Sequence, residues 1–140
     1  MKADGAFPAI ISEIDNIYEL ISRVFSQEGL DKEAEYLFMS AADEIFSNIV
    51  NYGFEDQRKE DHEKIAEVSV QIEAASVSMT FKDNGKPFDP LSSKAPDVSL
   101  GLDERPIGGL GIYIVKNSFD EVRYSFENGF NVFTIKKWRK

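Results

Sequence analysis

No cysteine occurs in the 140 residues, so the chain has no disulfide framework, no thiolate nucleophile and no cysteine-based zinc site. Histidine is almost as scarce: His62 stands alone, and one imidazole does not make a multi-histidine metal site. Basic residues are outnumbered, 16 Lys and Arg against 25 Asp and Glu, for a net charge of −9. Binding to a phosphate backbone rests on cations that neutralise phosphates, so this balance argues against nucleic acid as a direct partner. No apolar run approaches the roughly 18–20 residues that span a bilayer, and residues 1–7 lack the charged-then-apolar pattern of a signal peptide. A membrane association is therefore not expected, and the cytoplasm is the expected compartment. With 42% hydrophobic and 29% charged residues the composition favours neither disorder nor a fibrous repeat. A chain of this length buries a core without cross-links, and one domain over residues 1–140 is expected.

Apolar residues at Ile10, Ile11, Ile14, Ile17, Tyr18, Ile21, Val24 and Phe25 recur every three or four positions, which predicts an amphipathic helix over residues 8–27 opened by Pro8. Gly29 ends it. Asp31 is a good N-cap for a second helix whose stripe runs from Leu37 through Ala41, Ile45 and Ile49 to Gly53. Residues 55–64 are a charged stretch read as a solvated loop, which leaves His62 without a chemical role. Ile65, Val68, Val70 and Ile72, then Val77, Met79 and Phe81, alternate with polar residues as a half-buried antiparallel hairpin. Residues 86–107 carry Pro, Ser, Asp and Gly without periodicity; a loop of that length is usually functional, for example a flexible lid. A glycine-led helix over 109–119, a strand around 122–126, an Asn128–Gly129 turn and a strand over 131–137 complete the chain. Helices grouped beside hairpin-linked strands predict an α+β fold, a two-layer sandwich rather than alternating βαβ units.

Three stretches carry chemistry. Glu44 and Asn48 are four apart on the second helix and project side by side. A carboxylate beside an amide oxygen suits a hydrated Mg²⁺ or the orientation of an attacking hydroxyl; a solvent-facing polar stripe has the same spacing. Asp83 stands at a strand end before Asn84 and Gly85, where it can accept from a base amino group while the glycine admits a flat ring; an ordinary turn uses the same residues. Finally, Gly108, Gly109, Leu110 and Gly111 run into an apolar helix behind Arg105. Glycines at a helix N-terminus expose backbone donors to an anion, a phosphate first of all, and a guanidinium forks onto phosphate; a glycine turn before a plain helix is the alternative. Two commoner patterns fail. Gly85–Lys86 is followed by proline, so there is no Walker loop, and the 109–111 glycines lack the third glycine and the preceding strand of a dinucleotide fingerprint.

In this order, Glu44-x-x-x-Asn48, Asp83-x-Gly85-x-Pro87-Phe88-Asp89-Pro90 and Gly108-Gly109-Leu110-Gly111 resemble the N, G1 and G2 boxes of the GHKL ATPase superfamily. More narrowly, Ser47 to Phe54, Pro87 to Pro90 and Asp120–Glu121–Val122 make the chain similar to anti-sigma-factor serine/threonine kinases of the RsbW and SpoIIAB type, from about residue 7 onward. The resemblance implies the Bergerat fold, with a mixed, mainly antiparallel sheet, helices on one face and an ATP lid. It implies ATP and Mg²⁺ as cofactors, Asn48 as the metal ligand and Glu44 as the catalytic carboxylate that activates the attacking hydroxyl. Asp83 takes the adenine amino group, Gly85 leaves room for the ring, and Phe88 and Gly108 complete the nucleotide contacts. Gly109, Leu110 and Gly111 give backbone donors to the phosphates, and Arg105 reaches the terminal one.

As partners the resemblance implies a STAS-type anti-anti-sigma protein, whose Ser or Thr accepts the phosphoryl group, and a sigma factor or sigma-like regulator that competes for the kinase in controlling transcription. Such proteins are commonly dimers, and the isoleucine-rich first helix leaves room for a homodimer interface. Three departures qualify the likeness: only residues 1–7 precede the first helix, so the usual first strand is expected to be short, missing or contributed elsewhere; Tyr52 stands where histidine is common; and the lid has few basic residues, Lys86, Lys94 and Arg105. The alternative function is therefore a catalytically weak or inactive ATP-binding module that only sequesters its partner.

Overall fold

A computed structural model describes residues 1–55, 57–92 and 109–139. The element order is β1 (Lys2–Pro8), α1 (Ile14–Gln27), α2 (Lys32–Tyr52), β2 (Ile65–Ile72), β3 (Ser76–Asp83), α3 (Gly109–Ser118), β4 (Glu121–Glu127) and β5 (Phe130–Trp138), with short 3₁₀ turns at Ile11–Glu13, Asp61–Glu63 and Pro90–Ser92. The five strands form one sheet in the order β1-β2-β3-β5-β4, and all four pairings are antiparallel, so the mixed component expected for the sheet is absent among the described residues. Alternation along β2 buries Ala66, Val68, Val70 and Ile72 and leaves the intervening positions exposed or half-buried. One face therefore meets the helices and the other meets solvent, as an α+β two-layer sandwich requires. No described helix is long and apolar enough to cross a membrane.

The helix ends follow local chemistry. Gly29 adopts φ +68°, Gly29 N–H donates to the Ser26 carbonyl at 3.2 Å and Leu30 N–H to the Phe25 carbonyl at 2.9 Å, which is a Schellman close for α1. Asp31 then caps α2 by accepting from Ala34 N–H at 2.7 Å. Between the layers Phe25, Phe38 and Phe119 meet edge to face, with centroids 5.3 and 5.0 Å apart.

Two expectations about the N-terminus need correction. Pro8 does not open the first helix; it ends β1, and a 3₁₀ turn intervenes before α1 begins at Ile14. The first strand is neither missing nor contributed from elsewhere, because seven residues pair with β2 from Lys2–Gln71 to Pro8–Ile65. Its residues, Lys-Ala-Asp-Gly-Ala, have poor strand propensity, and the ladder to β2 supplies what propensity does not. Proline is tolerated because β1 is an edge strand.

Candidate functional site

Strand phase delivers the first functional group. The inward positions of β3 are Val77, Met79 and Phe81, and the next in phase is Asp83, whose side chain is carried to the core face at 6% exposure. The register of β3 with β5 sets Asp83 opposite Asn131, which is also 6% exposed and precedes the inward Phe133 and Ile135. Asp83 Oδ1 accepts from Gly85 N–H at 3.0 Å and from Asn131 Nδ2 at 3.1 Å. Burial raises the Asp83 pKa above its ordinary value, and these two hydrogen bonds offset only part of that rise.

Gly85 is required by close approach. A Cβ there would strike the Gly53 carbonyl oxygen and lie 2.9 Å from Asp83 Oδ1. Lys86 N–H donates to that same Gly53 carbonyl at 2.8 Å, which fastens the turn after β3 to the end of α2. Above Asp83 lies a cavity of about 50 Å³ walled by Ile45, Asn48 and Ile49 of α2 and by Phe88, Ile112 and Tyr124. Ordinary ligand pockets hold about 300–1,000 Å³, so this space among the described residues is smaller than most. Phe88, 50% exposed, is the wall with the least packing to lose.

Glu44 and Asn48 share one face of α2, and Asn48 Nδ2 donates to Glu44 Oε1 at 3.3 Å, which leaves the Asn48 Oδ1 lone pairs for a ligand. Asn48 lines the cavity at Asp83. Glu44 lines a neighbouring cleft of about 200 Å³ between α2 and α3, with Ser40, Ala41, Gly111, Val115 and Phe119. Burial raises the Glu44 pKa; Asn48 opposes the rise and the adjacent Asp43 adds to it. Gly109, Leu110 and Gly111 form the first turn of α3, where amides lack intrahelical partners. Gly111 packs so tightly on Glu44 that a Cβ there would overlap the carboxylate. Arg105 and Gly108 lie outside the described residues.

That contact yields a prediction free of any functional assumption. In Gly111→Ala the flexible Glu44 side chain swings out rather than the helix moving, since alanine in a helix is favoured over glycine by up to about 1 kcal/mol. The melting temperature is expected to hold within about 3 °C. The NMR-detected titration of the Glu44 carboxyl should return toward that of an exposed glutamate; an unchanged titration contradicts the packing.

Sequence reasoning missed Asn131 and Tyr124. Asn131 joins Asp83, the Lys86 carbonyl, Phe88 N–H and the Tyr124 hydroxyl in one cluster. The available signal was an amide at a core-phase position of an otherwise apolar alternation, Asn131, Phe133, Ile135.

Residues 7–137 match the histidine kinase-like ATPase domain. The chain belongs to that family. Proteins similar to the chain include the serine/threonine-protein kinase BtrW of Bordetella bronchiseptica, 27% identical over 94 residues that cover 67% of this chain and 63% of that protein. The serine-protein kinase RsbW of Listeria monocytogenes is 28% identical over 120 residues, 83% of this chain and 74% of the relative. RsbW of Listeria innocua is 27% identical over the same shares. The chain thus spans less than two thirds of the Bordetella kinase. Among the described residues, this ATPase-family chain brings Glu44, Asn48, Asp83, Gly85 and Gly111 together around α2, α3 and the paired strands β3 and β5.

Proposed function

We propose that the chain is a single-domain, ATP- and Mg²⁺-dependent serine/threonine kinase of the cytoplasm, acting as an anti-sigma regulatory factor. Its acceptor is a STAS-type anti-anti-sigma protein, and it sequesters a sigma factor to regulate transcription. The observation that carries this reading is the buried Asp83 carboxylate in one cavity with Asn48, itself hydrogen-bonded to Glu44, within an ATPase family.

The residues suit the groups. Both Asp83 hydrogen bonds among the described residues fall on Oδ1, so Oδ2 is left to accept from the adenine amino group, with Gly85 flat beneath it. Asn48 Oδ1 is the metal ligand, and its lone amide oxygen suits an ion that keeps several waters and phosphate oxygens. Bound Mg²⁺ supplies charge neutralisation on the phosphates. The first-turn amides of α3, from Gly109, Leu110 and Gly111, donate to the phosphate oxygens; Arg105 and Gly108 belong to the same proposed set. Glu44 takes the proton of the acceptor hydroxyl as its oxygen bonds to the γ-phosphorus and the bond to the ADP oxygen breaks.

A second reading, a sequestering module that binds nucleotide without transferring phosphate, draws on Glu44 lining the cleft between α2 and α3 while Asn48 and Asp83 line the neighbouring cavity. Labelled ATP with a STAS-fold protein separates the two. Transfer to Ser or Thr is expected; tight complex formation without transfer favours the module. ATP–Mg²⁺ at about 100 times its Kd is expected to raise the melting temperature by about 5–10 °C, because a ligand specific for the native state stabilises it. No shift at saturation removes nucleotide from both readings.

A further inference from the structure

We infer that Asn131, oriented by the Tyr124 hydroxyl, is a positioning residue that ties base recognition at Asp83 to the first residues of the 86–92 segment. The inference rests on the nucleotide reading above. A primary amide has two N–H donors and a carbonyl oxygen with two lone pairs, and in Asn131 all four are used. Nδ2 donates to Asp83 Oδ1 at 3.1 Å and to the Lys86 carbonyl at 2.8 Å. Oδ1 accepts from Phe88 N–H at 3.0 Å and from the Tyr124 hydroxyl at 2.5 Å. Both groups facing Oδ1 are donors, so the amide has one orientation, and that orientation sets a donor on Asp83 Oδ1, where both Asp83 hydrogen bonds among the described residues fall. A fully satisfied buried network of this kind is stiff, because each unmade bond leaves a desolvated polar group.

The same side chain holds the cavity wall. Phe88 walls the space of about 50 Å³ at Asp83, and its N–H is bound to Asn131. Movement of the Phe88 backbone would free one lone pair of the amide that holds Asp83. A base bound to Asp83 favours the amide orientation that keeps a donor on Asp83 Oδ1. Base recognition and the position of the segment are coupled through a single amide, with Tyr124 as its outer support. Tyr124 is delivered by phase: on β4 it pairs with Phe133 of β5, which lies on the same face as Asn131.

Titration of ATP and GTP, each with Mg²⁺, into full-length wild type, Tyr124→Phe and Asn131→Ala tests this. Tyr124→Phe keeps the ring and loses one donor, so ATP affinity is expected to fall about fivefold to tenfold and the ATP-to-GTP preference to fall with it. Asn131→Ala should lose more, about 10–100-fold for ATP. A purely structural role lowers both nucleotides equally and leaves the ratio unchanged. Hydrogen exchange at the Phe88 amide should quicken in both variants without nucleotide. Wild-type affinity and ratio in Tyr124→Phe overturn the inference, and this variant decides alone if Asn131→Ala fails to fold. If wild type binds neither nucleotide, the parent reading and the coupling to base recognition fall together. Phe88 exchange then shows separately whether Asn131 holds the segment.

Discussion

Glu44→Gln is expected to lower phosphoryl transfer by about 10²–10⁴-fold, the usual contribution of a positioned general base, while ATP affinity stays within about threefold. Glutamine is isosteric and its Oε1 still accepts from Asn48 Nδ2, so geometry is retained and only basicity is lost. The pH profile gives a second handle. Burial places the Glu44 pKa above the ordinary glutamate value, which makes the carboxylate a better proton acceptor. As pH falls through that raised pKa the base becomes protonated, so transfer by the wild type should decline nearer neutrality than an exposed glutamate would dictate. The residual activity of the variant should lack this acid limb. Single-turnover transfer of labelled phosphate across pH measures both effects, and a variant with the wild-type rate removes Glu44 from the chemistry.

Asp83→Asn is expected to do two opposite things: raise the melting temperature of the free protein and weaken ATP about 10–100-fold, the range for a lost hydrogen bond to a charged group. The stabilisation follows from linkage. Burial raises the Asp83 pKa above its unfolded value, so the native state binds the proton more tightly. Stability conferred by that proton is complete below the unfolded pKa and lost as pH rises through the folded one. At neutral pH the native protein holds an ionised carboxylate at 6% exposure, at a cost. Asparagine removes the charge and keeps an oxygen acceptor for Gly85 N–H and Asn131 Nδ2. Its amide nitrogen then faces the cavity where an acceptor is needed, and two donors oppose each other. Melts at pH 7.5 and at pH 5 should show the advantage of the variant shrinking as wild-type Asp83 gains protons. A lower melting temperature at pH 7.5, or undiminished ATP affinity, contradicts the assignment. A residue that costs stability and serves binding is the usual signature of a functional site.

Much of the fold was legible because its signals are local. The 3.6-residue stripe and Asp31 cap of α2, the alternation of β2 and β3, and the Asn128–Gly129 turn, with φ of 52° and 84°, each follow from residues a few positions apart. Glu44 beside Asn48 was legible for the same reason, since positions four apart on a helix are neighbours whatever the surroundings. β1 was not, because Lys2 to Ala6 has no intrinsic reason to be extended apart from its partner β2.

By itself, then, the sequence determined the ordered boxes, the family they point to and the helical pair Glu44–Asn48, all read from short-range spacing. The tertiary structure decided which groups meet across distance. Asp83 and Asn131 are 48 residues apart and join only because antiparallel register sets them opposite one another on the buried face. Glu44 and Gly111 touch only because α2 and α3 pack at one end of the sheet. Long-range contacts of this kind depend on register and packing, which no local pattern encodes, and they orient the acceptor at Asp83 and seat the carboxylate at Glu44.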